Sequence, residues 1–138
     1  MWNFPFTIVF CHLLSIRANV TIYSTKKIIE IGSGYSSALI LDTVDGFFSH
    51  RPEITFVEPF PDRLLGLLKK DDKDQVRIID KKVQEVPPEE FLALAAGDLL
   101  FIDSSHLIKC GSDLQILMFK IIPLLPPGIF IHFHDVFY

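Results

Sequence analysis

The sequence predicts an α/β domain in which a mainly parallel sheet of about five strands is sandwiched between two layers of helices. Three observations lead there. Short runs are apolar throughout instead of alternating, as strands buried on both faces are. Segments with helix starts, stops and apolar stripes separate those runs. The chain's 138 residues, 49% of them hydrophobic, suffice for one domain with a real core and are too few for two.

Residues 1–26 read as an apolar N-terminal segment and 27–138 as the domain proper. The opening MWNFPFTIVFCHLLSIRA lacks a basic leader, and its apolar run falls short of the roughly 20 residues that span a bilayer. Cys11 and Cys110 form no CxxC and no metal-ligand spacing, which fits a reducing compartment. A cytoplasmic protein without a membrane anchor is expected. Seventeen acids against 13 bases give a net charge of −4, and the lysines are scattered as pairs, so binding nucleic acid by charge neutralisation is not expected.

Along the domain, Ile28 to Ile31 is the first strand, and Ser36 to Val44 has helix-compatible composition ending at Gly46. Ile54 to Val57 is the second strand. Pro61 and Asp62 then open a helix whose leucines cluster on one side. Val76 to Ile79 is the third strand, and PPEEFLALAAG has prolines and acids suited to a helix start and ends at Gly97. After the fourth strand, Leu99 to Ile102, Ser112 caps a helix on which Leu114, Leu117, Met118, Ile121 and Ile122 share a face. The turn PPG leads into the fifth strand, Ile129 to His134.

Such a sheet carries its ligand at the carboxyl ends of the strands, where Glu30 to Ser37, Glu58, Asp80 to Gln84, Asp103 to His106 and His134/Asp135 fall. Gly32 and Gly34 permit a tight turn and close approach to a ligand, but Ser37 stands where a dinucleotide fingerprint has its third glycine. A carboxylate at Glu30 would repel a pyrophosphate and attract a cationic ligand, and Glu58 can accept hydrogen bonds from the vicinal hydroxyls of a ribose. The plain alternative is a glycine turn flanked by solvated strand-end acids.

Taken in order, EIGSGYSS, FVEPFPDRL, LLFIDSSH and LLPPGIFIHFHDVF resemble the motifs of the class I S-adenosylmethionine-dependent methyltransferases, in particular the methyltransferase family 24 and metal-dependent O-methyltransferase type. The resemblance covers roughly Lys26 to Phe137 and implies a Rossmann-like fold. It implies that Glu30, Gly32, Ser33, Gly34 and Ser36 line the methionine part of S-adenosylmethionine, that Glu58 holds the ribose, and that Val83 and Gln84 contact the adenine. Lys82 occupies the slot where the family usually has an acid. Asp103 would serve cofactor and reaction together, with Asp135 and His134 as its partners on a magnesium or other divalent cation; Val136 cannot ligate. His106 stands where catechol-type enzymes carry a lysine base.

The implied activity is in-line methyl transfer to a hydroxyl of a small molecule, its specificity unread. Two other readings stay open: a non-catalytic relic that binds cofactor or a partner, and a metal-dependent hydrolase using His132 and His134, which share one side of a strand. The family's sheet continues with a helix and a C-terminal hairpin that this chain lacks. Its fifth strand is therefore expected to be an edge, covered by the N-terminal segment or by another copy in a homo-oligomer.

Overall fold

The structure, a computed structural model, describes residues 7–10, 25–105 and 108–134. Among them six strands form one sheet: β1 (Thr7–Phe10), β2 (Lys27–Ile31), β3 (Glu53–Val57), β4 (Val76–Ile79), β5 (Leu99–Ile102) and β6 (Phe130–Phe133). Their order is β1-β6-β5-β2-β3-β4, and every neighbouring pair is parallel. The helices are α1 (Tyr35–Phe47), α2 (Asp62–Leu67), α3 (Pro88–Leu92) and α4 (Asp113–Ile116), the last prolonged by a wide turn over Leu117–Ile121 and a tight one over Ile122–Leu124.

Side chains alternate across the sheet, so each strand feeds two cores. Ile29 and Ile31 of β2 pack with Leu100, Ile102, Phe91 and Leu117 on one face. Ile28 packs with Ile54, Phe56, Phe101, Ile40, Leu41 and Leu64 on the other. The first face is covered by α3 and α4 and the second by α1 and α2, which makes the three-layer sandwich. Buried side chains such as Phe56, Phe91 and Phe101, each about 1% exposed or less, contribute roughly 1.5–3 kcal/mol apiece.

The strand order reverses between β2 and β5, since β3 and β4 extend the sheet one way and β6 and β1 the other. A crevice opens at that point outside the carboxyl ends of the strands. At the opposite end Asp98, buried, accepts from the backbone N–H groups of Lys27 (2.9 Å), Lys26 (3.2 Å) and Ala95 (2.8 Å). It ties the start of β2 to the turn before β5.

Two expected helix ends need correction. Helix α1 does not end at Gly46 but runs through it to Phe47, a cost of about 1 kcal/mol relative to alanine that packing of the helix offsets. Helix α3 stops at Leu92 rather than continuing to Gly97, because Asp98 draws the Ala95 N–H into a turn. The predicted fifth strand, here β6, is covered by the N-terminal segment, one of the two alternatives expected for it: Thr7 to Phe10 pair with Phe130 to Phe133 in parallel register. The N-terminal segment thus supplies a sixth strand, and self-association through an exposed β6 loses its physical basis.

Candidate functional site

The crevice is built around the turn that joins β2 to α1. Gly32 donates its N–H to the Val57 carbonyl at 3.0 Å and adopts φ +78°, a left-handed conformation that favours glycine. Gly34 is extended and caps α1, and its N–H donates to Ser37 Oγ at 2.9 Å. Ser37 is fully buried. The residue that replaces the third glycine of a dinucleotide fingerprint therefore closes the turn from within, spending on the protein an amide that a pyrophosphate loop would offer to phosphate.

Glu58, just past β3, accepts from Ser33 N–H (3.0 Å, Oε2) and Phe60 N–H (2.9 Å, Oε1). Each carboxylate oxygen keeps a second lone pair, so the group is held rigid and can still accept from a diol. Glu30 is placed differently from the sequence reading. It projects into the α1-side core, is fully buried, and lines neither of the cavities described below. Burial is the main reason its pKa rises to about 8; hydrogen bonds from Ser36 and Ser37 oppose the rise, and the charges of Asp103 and Glu58 add to it. Ser36 donates to its Oε1 at 2.5 Å, while Oε2 has no partner. At neutral pH Glu30 is a protonated acid that anchors the first turn of α1, so the expected attraction of its charge for a cationic ligand is absent.

Two cavities open at the strand ends. The larger, about 430 Å³, is bounded by Gly32, Glu58, Val83, Gln84, Asp103 and Asp113, with Lys82 also on its wall. Its size lies in the range of small-ligand sites, and residues following β2, β3, β4 and β5 all meet there. Val83 is buried and offers an apolar surface, and Gln84 Nε2 donates to the Gly111 carbonyl at 3.0 Å. The smaller, about 190 Å³, is lined by Ser33, Gly34, Tyr35, Ser36, Arg63, Asp103 and His134. Asp103 lines both.

Sequence reasoning missed Arg63 and the pairing of Ser105 with Asp113. Asp113 accepts from Ser105 N–H (2.8 Å) and Ser105 Oγ (2.5 Å). Burial pushes its carboxyl up, but these bonds and one from the Leu114 N–H outweigh it and hold the pKa below the usual range. The loop after β5 is thereby fastened to the start of α4. The Ser112 cap, whose Oγ accepts from Gln115 N–H at 3.2 Å, was the sequence signal that placed Asp113 there.

His134 donates its backbone N–H to the Ile102 carbonyl at 2.9 Å, which sets it beside Asp103 on the wall of the small cavity. His106 and Asp135 lie outside the described residues. Of the three expected metal ligands, Asp103 and His134 line the small cavity and Asp135 is not described; among the described residues no three His, Cys, Asp or Glu converge. His132 is 1% exposed, stacked on Phe101 at 4.5 Å between ring centroids, and both its ring nitrogens lack hydrogen-bond partners. Burial, with a smaller repulsion from His134, drives its pKa down to about 4. It is a core side chain, which removes the support for a hydrolase built on His132 and His134.

No helix among the described residues is long and apolar enough to cross a membrane. A family model described as a methyltransferase domain matches residues 29–136. An uncharacterised protein of Archaeoglobus fulgidus is 35% identical over 75 residues, which is 53% of this chain and 33% of the relative; the match spans about a third of that protein's length. With a parallel sheet whose strand ends carry the glycine turn, Glu58 and Asp103 around one cavity, the chain belongs to the methyltransferase-domain family and has the α/β fold of the class I S-adenosylmethionine-dependent methyltransferases.

Proposed function

We propose that this domain binds S-adenosylmethionine with the nucleoside in the larger cavity and directs its methyl group to the hydroxyl of a small molecule. The observation that carries the reading is the convergence of Glu58, Gly32 and Val83 on one 430 Å³ cavity at the point where the strand order reverses. Glu58, pinned by two backbone N–H groups, is the acceptor for the ribose hydroxyls. Val83 and Ile31 supply apolar surface for the base, and Gln84, tied to Gly111, closes that side.

When bound, the cofactor supplies an electrophilic methyl on a sulfonium. The chain's part is to hold donor and acceptor in line and to receive the hydroxyl proton as the new C–O bond forms. His106, three residues after Asp103 in the sequence, is the base that the family resemblance assigns to that proton. An imidazole suits the task near neutral pH. No step in this reading passes through a metal.

Titration calorimetry with S-adenosylhomocysteine tests the reading directly. One equivalent should bind, and ligand at 100 times its Kd should stabilise the fold by about 2.7 kcal/mol. Folded protein that gives neither heat nor a shift in Tm would rule out the nucleoside site.

A further inference from the structure

A third cavity, of about 400 Å³, lies at the other end of the sheet. Lys26 directly precedes β2 and Pro52 directly precedes β3, and both line it, so in a parallel sheet it sits at the amino ends of those strands. Lys26, His50 and Arg51 line it together with Phe48, Ser49 and Pro52, and no acid is among its described walls. In a chain of net charge −4 this is a local excess of cationic donors. The floor is held rigid, because the Lys26 N–H donates to buried Asp98 at 3.2 Å and the Lys26 carbonyl accepts from Glu53 N–H at 2.8 Å. Arg51 is also fixed: Nη1 pairs with Asp45, and Nη2 with buried Asp72 at 3.3 Å. Its Nε is buried and has no hydrogen-bond partner. The two acids offset the charge of Arg51, whereas the side chains of Lys26 and His50 form no ion pair or hydrogen bond with a described residue.

We propose that this cavity binds a small organic oxyanion, a carboxylate or phosphate carried on an aromatic or aliphatic body. A buried N–H without a partner is costly, and an acceptor supplied by a ligand satisfies it. A charged oxygen at Arg51 Nε gains further from the Lys26 ammonium and from a ring N–H of His50, since hydrogen bonds to ionised groups are the stronger ones. Basic walls disfavour a cation by the same Coulomb argument. Half-buried Phe48 and buried Pro52 add apolar surface, and the volume lies in the range of small-molecule sites, so the anion has an organic body to place there. The site shares no lining residue with either cavity of the crevice and does not depend on the chemistry there. Lys26 and Arg51 are far apart in sequence and meet because β2 and β3 pair in parallel, which brings the residues before each strand side by side.

Phenyl phosphate is the probe, with phenol and inorganic phosphate as its two halves. Calorimetry should show one equivalent of phenyl phosphate binding saturably, more tightly than either half, and more weakly as salt is raised. The backbone amide NMR signals of Lys26 and of Phe48 to Arg51 should move on titration, while those of Gly32, Glu58 and Gln84 stay in place. In the double variant Lys26→Gln, His50→Gln, affinity should fall about tenfold to a hundredfold, as expected for loss of charge-assisted bonds. Its Tm should match wild type, because neither side chain bonds a described residue. Phenol binding as tightly as phenyl phosphate would overturn the oxyanion, and inorganic phosphate doing so would overturn the organic body. Absence of saturable binding, shifts confined to the crevice residues, or unchanged affinity in the double variant would each overturn the site.

Discussion

The backbone carbonyl of Asp103 occupies the position where any side chain on Gly32 would begin: a Cβ there would overlap the carbonyl oxygen and lie 2.9 Å from the carbonyl carbon. The ladder bond from Asp103 N–H to the Ile31 carbonyl, 2.8 Å, fixes that approach. The glycine turn and the acid after β5 are thus one structural unit, and the absence of a side chain at position 32 lets the two strand ends close up beside the cavity.

Gly32→Ala should therefore be far more damaging than Gly34→Ala. The first forces a left-handed φ and a clash with backbone, and should cost about 3 kcal/mol or more. The second meets only the flexible Arg63 side chain at 3.4 Å from an extended backbone, and should stay within about 1 kcal/mol. Urea unfolding of the two variants decides it, and equal losses would contradict the close approach.

Glu58→Ala should reduce S-adenosylhomocysteine affinity at least tenfold, since it removes the diol acceptor and releases the Ser33 and Phe60 amides. The fold should survive, because the carboxylate lies outside both apolar cores. Calorimetry at constant pH measures the first and circular dichroism the second; wild-type affinity in the variant would remove Glu58 from the site.

Glu30 should make stability depend on pH in a defined direction. Its carboxyl titrates near 4.5 in the unfolded chain and at about 8 when folded, so the folded state keeps a proton that the unfolded state releases. The stabilisation is complete below about pH 4.5 and is lost as pH rises toward about 8. Glu30→Gln keeps the neutral shape and removes the proton exchange. The urea midpoint of wild type relative to Glu30→Gln should fall between those limits, with Asp103 and Glu58 unchanged as neighbours in both proteins. A constant difference would mean that Glu30 is ionised in its buried site.

His132→Phe should stabilise the protein by about 1–2 kcal/mol, because a stacked ring is retained against Phe101 and two unpartnered buried nitrogens disappear. Thermal unfolding tests this. A loss of stability of similar size would show that the imidazole has a polar role in the β5–β6 region.

Several features were readable without tertiary structure. Uniformly apolar strands such as Leu99 to Ile102 announced a sheet covered on both faces, and the Ser112 cap located α4. The acids and glycines at strand ends followed from the same alternation, and they placed Gly32, Ser33, Glu58, Val83, Gln84 and Asp103 around one crevice. Helix ends were less readable: Gly46 sits inside α1, and α3 ends five residues before Gly97, because packing and the Asp98 carboxylate override local preference.

Residue types and their order determined the fold class and which acids stand near the ligand, since both follow from the period of burial along the chain. Only the tertiary structure decided what those acids are. Glu30 is uncharged at neutral pH because α1 and the aromatic side chains on neighbouring strands, distant in sequence, exclude water from it. Arg63 faces the glycine turn because α2 packs beside α1, and β6 has a partner because Thr7 to Phe10 return to it from the far end of the chain. Charge state and edge protection depend on long-range neighbours, which a local pattern does not contain.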